Sequence, residues 1–204
     1  MPIKLSNTHK MPCKSWSLPV ISTCPGRFDI TTGKVSAVCK GCYAGKGRYK
    51  MPKVKALREH NKEDWTRPEW EDDMVAQLDN MRWFRWFDSG DMYHIELAHK
   101  IYNVMQRTPW IHHWLPTKMG RFTKFAPILK AMSSLDNVVV RHSSDNFNSH
   151  DGLQYGDTAS TVVTDREEAL TNHVTICPAE GTSKCGLCRK CWDKQVTLIG
   201  YTKH

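Results

Sequence analysis

The sequence predicts an α/β protein whose mostly parallel strands form a partial (βα)6, TIM-like barrel, followed by a cysteine-rich loop near the C-terminus. Two observations lead to this fold class. Strand-like and helical segments alternate along the chain, and the strand-like segments are apolar enough for a parallel sheet that is buried on both faces. About six strands are predicted, which is too few for a closed eight-stranded barrel.

The strand-like segments are rich in β-branched and aromatic residues, which favour strands. In chain order they are residues 16–22, 82–88, 111–117, 137–142, 160–164 and 173–176. The helical segments between them are residues 51–61, 66–78, 94–107, 123–132 and a short acidic stretch from Asp165. Pro52 suits the first turn of a helix, and Thr66 with Glu69 forms a capping-box pattern.

All 204 residues are predicted to form one domain, because the length suffices for one core and no linker is visible. Residues 23–176 would form the barrel core, and residues 177–204 the cysteine cluster and tail. No apolar run approaches the length of a membrane span, and the first residues lack the pattern of an export signal. A cytoplasmic protein with no membrane partner is therefore expected.

The eight cysteines form two groups, with Cys13 upstream of both. Near the C-terminus three cysteines are separated by two residues each, which is typical of iron–sulfur ligands, whereas zinc sites more often combine two separate pairs. In a reducing cytoplasm such groups indicate metal binding or catalysis rather than disulfides. The sequence thus predicts one or two [4Fe-4S] clusters, with the ligands Cys24, Cys39, Cys42, Cys177, Cys185, Cys188 and Cys191.

The N-terminal group has two interpretations, which differ in the role of Cys13. Three thiolates on a cubane leave one iron open to a small molecule, whereas a fourth closes the cluster as an electron carrier or structural element. In the first interpretation Cys13 is spare, and in the second it is the fourth ligand of the N-terminal site.

Polar residues follow several of the strand-like segments. Asp88-Ser89-Gly90-Asp91 ends the second segment, Thr117-Lys118 ends the third, and a polar run from Arg141 to Asp145 ends the fourth. The carboxyl ends of parallel strands meet at one edge of a sheet, where the working residues of parallel α/β folds lie. These side chains are therefore predicted to share one rim with the two cysteine groups.

Positive charge is concentrated in one segment of this chain, whose formal net charge is +8. Residues 30–58 contain no acid, eight basic residues, and the interleaved Tyr43 and Tyr49. Such a segment suits a phosphate backbone, with rings available for stacking on bases. The predicted nucleic-acid contacts are Lys46, Arg48, Lys50 and Lys53. The alternatives are a solvated face or a basic collar around an anionic cluster.

Two further motifs are interpreted as structural. His112 and His113 are neighbours in a strand, so one is expected in the core and the other at the surface. The aromatic run that contains Trp83, Phe84, Trp86 and Phe87 is explained by a sheet buried under helices.

Several motifs together resemble the phage-encoded Gene product 88 family and, more distantly, the radical S-adenosylmethionine (SAM) superfamily. They are Cys24-Pro25-Gly26, the Cys39-x2-Cys42-Tyr43-Ala44 motif, the Asp88–Asp91 turn, Thr117-Lys118 and the closing cysteine run that ends in Trp192. The resemblance covers roughly residues 16–192. For a phage protein, the expected compartment is the cytoplasm of the host.

The radical SAM resemblance implies an enzyme with an open [4Fe-4S] cluster on Cys24, Cys39 and Cys42, to which SAM binds. It also implies an electron donor. The turn after the second strand would hold the amino group of the cofactor, although this chain has Asp88-Ser89-Gly90-Asp91 in place of the usual Gly-Gly-Glu and a longer cysteine spacing. The implied cofactor or substrate contacts are Asp88, Ser89, Gly90, Asp91, Lys118, Arg141 and Ser143.

Two other functions compete with this enzyme hypothesis. One is a nucleic-acid-binding protein whose cluster is structural or redox-sensing, and the other is a zinc protein without redox chemistry. Binding of a small cofactor separates the enzyme from the binding protein. An absorption spectrum separates both from the zinc protein.

Overall fold

The computed structural model describes residues 3–8, 10–171, 173–179 and 184–203. Eight strands form one sheet in the order β1-β2-β3-β4-β5-β6-β8-β7. Only the β1–β2 pair is antiparallel within these residues, and all the other neighbours are parallel. The strands are β1 (Ser6–Asn7), β2 (Lys14–Trp16), β3 (Trp83–Trp86), β4 (His112–Thr117), β5 (Val138–Phe147), β6 (Ala159–Val163), β7 (Thr175–Ile176) and β8 (Leu198–Thr202).

Helices connect most of the neighbouring parallel strands, as a parallel sheet requires. Their bounds are α1 (Ala37–Lys40), α2 (Pro52–Asp64), α3 (Trp70–Leu78), α4 (Ile95–Arg107), α5 (Ala126–Ser133) and α6 (Arg166–Thr171). The chain after β7 passes through the C-terminal cysteines and returns as β8, which lies between β6 and β7. Both ends of this cysteine loop are therefore fixed to the sheet.

Alternate residues of β3 and β4 face two different environments, which places the core on one side of the sheet and the cysteines on the other. Phe84 and Trp86 are fully buried in the large cluster formed with the helices. Trp83 and Trp114 belong to a second cluster with Trp192 and Cys191. The aromatic run is thus accounted for by packing on both faces, as the sequence predicts.

The histidine pair also behaves as predicted. His113 is fully buried, while the ring of His112 is half-buried and stacks on Trp83. The indole of Trp86 donates to His113 Nδ1 at 3.3 Å, so the proton of the neutral ring lies on Nε2, which is 2.9 Å from Thr108 Oγ1. Burial lowers the pKa of His113 to about 3.

Two predictions about individual elements are wrong. The chain after β2 leaves the sheet at Trp16, so residues 17–22 form a loop. Helix α3 begins at Trp70 rather than after Thr66, whose hydroxyl instead donates to the Glu63 carbonyl at 2.7 Å at the end of α2. Strands β1 and β8 have no counterpart in the predicted strands. No helix in the described part of the chain is long and apolar enough to cross a membrane.

Candidate functional site

A cavity of about 1070 Å³ lies at the carboxyl ends of the central strands. Six of the predicted cysteine ligands line it: Cys24, Cys39, Cys42, Cys177, Cys185 and Cys191. So do six of the seven predicted cofactor contacts: Asp88, Ser89, Gly90, Asp91, Lys118 and Ser143. The sheet thus brings together residues that lie far apart in the sequence. Cys188 and Arg141 are not among the lining residues described.

The Asp88–Asp91 turn fixes the loop that leads to Cys24. The Leu18 amide donates to the Ser89 carbonyl at 3.0 Å, and the Ser89 hydroxyl donates to the Leu18 carbonyl at 2.8 Å. Gly90 has φ 76°, and a Cβ atom there would lie 2.5 Å from Leu18 Cβ. Only glycine suits this position, because it combines a left-handed backbone with a close approach of two chains.

Asp88 binds residues of the basic segment. Its carboxylate accepts a hydrogen bond from the Ser17 hydroxyl and lies 3.5 Å from the Arg58 guanidinium. The Tyr43 hydroxyl donates to the Asp88 carbonyl oxygen at 2.8 Å. Arg58 also lies over the Tyr49 ring, 4.5 Å from its centre. These two tyrosines therefore attach the basic segment to the β3 turn, a role that the sequence analysis did not assign to them.

Asp91 joins the end of β3 to the end of β4. Its carboxylate accepts hydrogen bonds at 2.8 Å from the Thr117 hydroxyl and from the amides of Lys118 and Met92. Burial raises the pKa of Asp91 to about 6, against the opposing effect of these donors. One of the four lone-pair positions of the carboxylate remains, on the oxygen that accepts only from Lys118.

The charged end of the Lys118 side chain lies against β5. Its Nζ donates to the carbonyls of Ser143 and Ser144 and to the Asp145 carboxylate, the last at 2.8 Å. Arg121 binds the same Asp145 oxygen at 2.7 Å. The two cations hold the pKa of Asp145 below its ordinary value, although burial opposes them. Lys118 therefore lines the cavity with its stem while its charge is already paired.

Arg141 has a different environment from the one predicted. It is fully buried and lies outside the cavity lining, so the expected contact with cofactor or substrate is corrected here. Its guanidinium instead donates to backbone carbonyls of the C-terminal cysteine loop and of the β6 and β8 ends. The acceptors are the carbonyl oxygens of Cys191, Lys190, Asp193, Val196 and Ala159.

The N-terminal cysteines lie on short helical turns at the cavity rim. Cys24 precedes a 3-10 turn, Cys39 lies in α1, and Cys42 is exposed. The pKa of Cys24 is raised to about 12, chiefly by burial, then by the Asp91 carboxylate and by Cys42 and Cys39. A cationic metal centre would reverse this effect, because coordination favours the thiolate.

The C-terminal cysteines pack against aromatic side chains, and Cys13 joins them. Cys13, Cys177 and Cys191 belong to one apolar cluster with Trp114 and Trp192. The pKa of Cys13 is raised to about 12 by burial, with smaller contributions from Cys185 and Cys191. This places Cys13 with the C-terminal group, away from the N-terminal group that the sequence analysis considered for it.

Two more residues of this region carry chemistry that sequence patterns do not reveal. The Tyr201 hydroxyl lies 3.3 Å from Cys191 Sγ. Arg85 of β3 lines the cavity, and its guanidinium lies 4.5 Å from the centre of the Trp114 ring. In the sequence, Arg85 differs from its neighbours only as a polar residue in the middle of an aromatic strand.

The basic residues predicted to contact nucleic acid are all exposed. Lys46, Arg48 and Lys53 lie at the mouth of the cavity, and Lys50 lies outside its lining. Among the residues that the structure describes, no three His, Cys, Asp or Glu side chains form a group that could hold one metal ion.

Comparison with known protein families shows a match to the sequence model of the Gene product 88 family over residues 2–195. No curated protein and no solved structure matches the chain.

Proposed function

The chain therefore belongs to the Gene product 88 family, and on that premise we propose that it is a radical-SAM-like iron–sulfur enzyme acting on a nucleic acid or a related substrate. The observation that carries this proposal is the shared cavity. Cysteines from both groups line it together with the acid-bearing turn after β3. Cavities at the carboxyl ends of parallel strands are the usual sites of catalysis in α/β folds.

A partial barrel is the form of the sheet that suits this proposal. The parallel order from β2 to β8 supports it, because each strand lies beside its neighbour in the chain as far as β6. The division of faces supports it as well, since helices cover one face while the cavity and Trp192 lie against the other.

The donor set at the N-terminal site fits a cluster held by Cys24, Cys39 and Cys42. Three thiols reach the same cavity, and the thiols influence one another electrostatically. When bound there, a [4Fe-4S] cluster would supply one electron and one iron position that no protein ligand occupies.

The chain's own residues prepare this cavity for an amino-acid-like ligand such as SAM. Asp91 is held by Thr117, Lys118 and Met92, so its carboxylate cannot turn away. Asp91 lines the cavity, and its remaining lone pair can accept a charge-assisted hydrogen bond from a ligand ammonium group. The buried setting strengthens that bond, since water competes for it less than at the surface.

Exposed cations at the mouth of the cavity support a polyanionic substrate. Lys46, Arg48 and Lys53 lie there without acidic neighbours in their own segment. Phosphates of a nucleic acid would be attracted to such a rim and would release counterions on binding.

The first experiment is anaerobic purification with quantitation of iron, acid-labile sulfide and zinc. We expect a brown protein with sulfide and iron, whose reduced electron paramagnetic resonance signal changes when SAM is added. Asp91→Ala should remove this change, while Gln154→Ala, a change outside the cavity lining, should keep it. A colourless protein with stoichiometric zinc would contradict the iron–sulfur assignment, and a reduced cluster that ignores SAM would contradict the enzyme.

The exposed basic rim also supports a second candidate, a nucleic-acid-binding protein with a structural or redox-sensing cluster. Binding to a DNA duplex and to single-stranded RNA should weaken steeply as salt rises. Substituting Lys46, Arg48 or Lys53 by Gln should lower the salt slope, whereas Lys130→Gln in α5 should not. Binding that requires no SAM, together with a cluster that ignores SAM, would favour this candidate over the enzyme.

A further inference from the structure

We propose that Cys13 completes a closed four-thiolate iron–sulfur site with three C-terminal cysteines, and that Cys188 takes no part in it. The three partners are Cys177, Cys185 and Cys191. This inference rests on the proposed iron–sulfur function and changes its ligand set. The x2 spacing alone assigns the site to Cys177, Cys185, Cys188 and Cys191, with Cys13 left over.

The packing brings Cys13 to the C-terminal group from the opposite end of the chain. Cys13 immediately precedes β2, and it lies in the same apolar cluster as Cys177 and Cys191. The Cys185 amide donates to the Lys10 carbonyl at 2.9 Å, which fixes the cysteine loop to the segment before Cys13. Three of the four cysteines therefore share one cluster, and the backbone of the fourth, Cys185, is bound to the segment that leads to Cys13.

Cys188 is half-buried and follows Leu187, whose side chain is 97% exposed. Its amide donates to the Cys185 carbonyl at 3.0 Å in a turn, and the Arg189 guanidinium donates to the Cys188 carbonyl at 2.7 Å. Within the described residues, Cys188 belongs neither to the apolar cluster that contains Cys13, Cys177 and Cys191 nor to the cavity lining that contains Cys177, Cys185 and Cys191.

Arg85 gives an independent indication of an anionic group at this position. Its Nε is buried and has no hydrogen-bond partner in the described structure, and its Nη1 donates to the neutral Met11 Sδ at 3.1 Å. The nearby Asp88 already forms its ion pair with Arg58. A buried guanidinium nitrogen without a hydrogen-bond partner is costly. A cluster held by four thiolates carries net negative charge and would supply the missing counterion.

Arg85 lines the same cavity as Cys177, Cys185 and Cys191, so its charge faces the space that these thiols border. Each thiolate of a cubane binds a different iron, so its ligands surround the cluster and need not meet at one point. With Cys13 assigned here, the N-terminal site keeps three thiols and its open iron position.

The test counts iron and acid-labile sulfide per chain in the full-length protein purified anaerobically. Cys13→Ser should lose the same share of iron as Cys185→Ser, whereas Cys188→Ser should retain the wild-type content. Full iron in Cys13→Ser, or a loss in Cys188→Ser equal to that of Cys185→Ser, would overturn the inference. A wild-type protein without iron would instead overturn the proposed function, so the two failures are distinguishable.

A second measurement on the wild-type protein avoids variants that fail to fold. Iodoacetamide labelling of the loaded protein, followed by mass spectrometry, should modify Cys188 and leave Cys13 unmodified until the iron is chelated. Equal labelling of both before chelation would overturn the inference.

Arg85→Gln should also shift the reduction potential of the closed site to more negative values, because removing a positive charge destabilises the reduced cluster. Arg107→Gln on the exposed face of α4 should leave the potential unchanged. An unchanged potential in Arg85→Gln would contradict the role of this residue as counterion.

Discussion

The two cysteine regions differ most in how they are attached to the sheet. The C-terminal loop lies between two strands and packs Cys191 and Trp192 against Trp114. The N-terminal loop, by contrast, is made of short helical turns, and its Cys42 is exposed. Both regions contain a Cys-x2-Cys motif, so this spacing alone does not predict how each region is attached to the sheet.

Different interactions stabilise these two attachments. The Trp192 indole donates to the Phe84 carbonyl at 2.9 Å, and Arg141 binds four carbonyls of the C-terminal region and one of β6. The N-terminal loop is bound through the Asp88–Asp91 turn and the Tyr43 hydroxyl. A substitution that removes the interactions of one region should therefore loosen that cysteine region more than the other.

Removal of Arg141 should have the largest effect, and it should be greatest at the C-terminal loop. Arg141→Met would leave several buried carbonyls without a donor, which costs about 4 kcal/mol of unfolding free energy. The measurement is urea unfolding, together with the rate of alkylation of Cys191 and Cys42 in the apoprotein. Alkylation of Cys191 should accelerate, and that of Cys42 should not.

Arg107→Met is the matched control for Arg141→Met. Arg107 forms an exposed ion pair with Asp72 at 2.7 Å, and such a pair contributes less than about 1 kcal/mol. Equal destabilisation by the two variants would mean that the buried carbonyl bonds do not anchor the loop.

Gly90→Ala should have the next largest effect and should act on the N-terminal loop. A Cβ atom would lie 2.5 Å from Leu18 Cβ and 2.9 Å from the Leu18 carbonyl oxygen, in a backbone with φ 76°. Overpacking and backbone strain together should cost about 3 kcal/mol. Thermal or urea unfolding gives the size of the effect, and alkylation of Cys24 should accelerate.

Gly186→Ala is the control in the other cysteine region. Gly186 has φ 51°, but nothing lies within 4 Å of its missing Cβ atom. Backbone strain alone should then cost about 1 kcal/mol. If both alanine variants lose the same stability, the close contact between the turn and Leu18 is not what holds the N-terminal loop.

The regular part of the fold was predictable because its signals are local. Helix α4 follows its apolar stripe almost to the residue, and β4 matches the predicted strand after its first residue. The loop after Trp16 was mistaken for a strand because Leu18 is apolar, but its amide binds the Ser89 carbonyl of a turn instead of a strand. Strand β8 was not predicted, because its place between β6 and β7 depends on tertiary pairing and not on a local sequence pattern.

The candidate site was predictable in its location and less so in its members. Strand ends of a parallel sheet meet at one edge, so the turn after β3 and Ser143 line the same cavity. The position of Cys13 depends on how β2 enters the sheet, and the orientation of Arg141 depends on the return of the chain into β8. Neither is encoded in the sequence near these residues.

Mild acid should sharpen the comparison, because Asp91, beside the N-terminal cysteine region, and His113, on the helix-covered face of the sheet, respond with opposite sign. His113, which accepts a hydrogen bond from Trp86, has a pKa of about 3 when folded and an ordinary value of 6.5 when unfolded. The unfolded chain binds protons more readily, so stability is complete above pH 6.5 and is lost as the pH falls towards 3. At pH 5.5 the loss from this group is about 1.4 kcal/mol.

Asp91 partly offsets this loss, since its pKa is raised to about 6 and the folded chain takes up its proton first. The measurement is the urea midpoint between pH 7.5 and 5. The urea midpoint of His113→Gln should depend less on pH than that of the wild type. Substitution of the half-buried neighbour, His112→Gln, should retain most of the wild-type pH dependence. A wild-type midpoint that rises as the pH falls from 7.5 to 5 would show that His113 does not dominate.

Tyr201→Phe should have the smallest effect on stability and the most local one. The hydroxyl lies 3.3 Å from Cys191 Sγ, and burial raises the pKa of Tyr201, so it stays protonated and would donate to the sulfur of a metal-bound thiolate. Its loss should cost less than about 1 kcal/mol of unfolding free energy. In the iron-loaded protein, a hydrogen bond to a ligand sulfur raises the reduction potential, so Tyr201→Phe should lower that of the C-terminal site alone. Tyr43→Phe removes a hydroxyl from the N-terminal region and is the matched control. If Tyr43→Phe lowers the same potential, or if Tyr201→Phe lowers neither, the two cysteine regions are not separate sites.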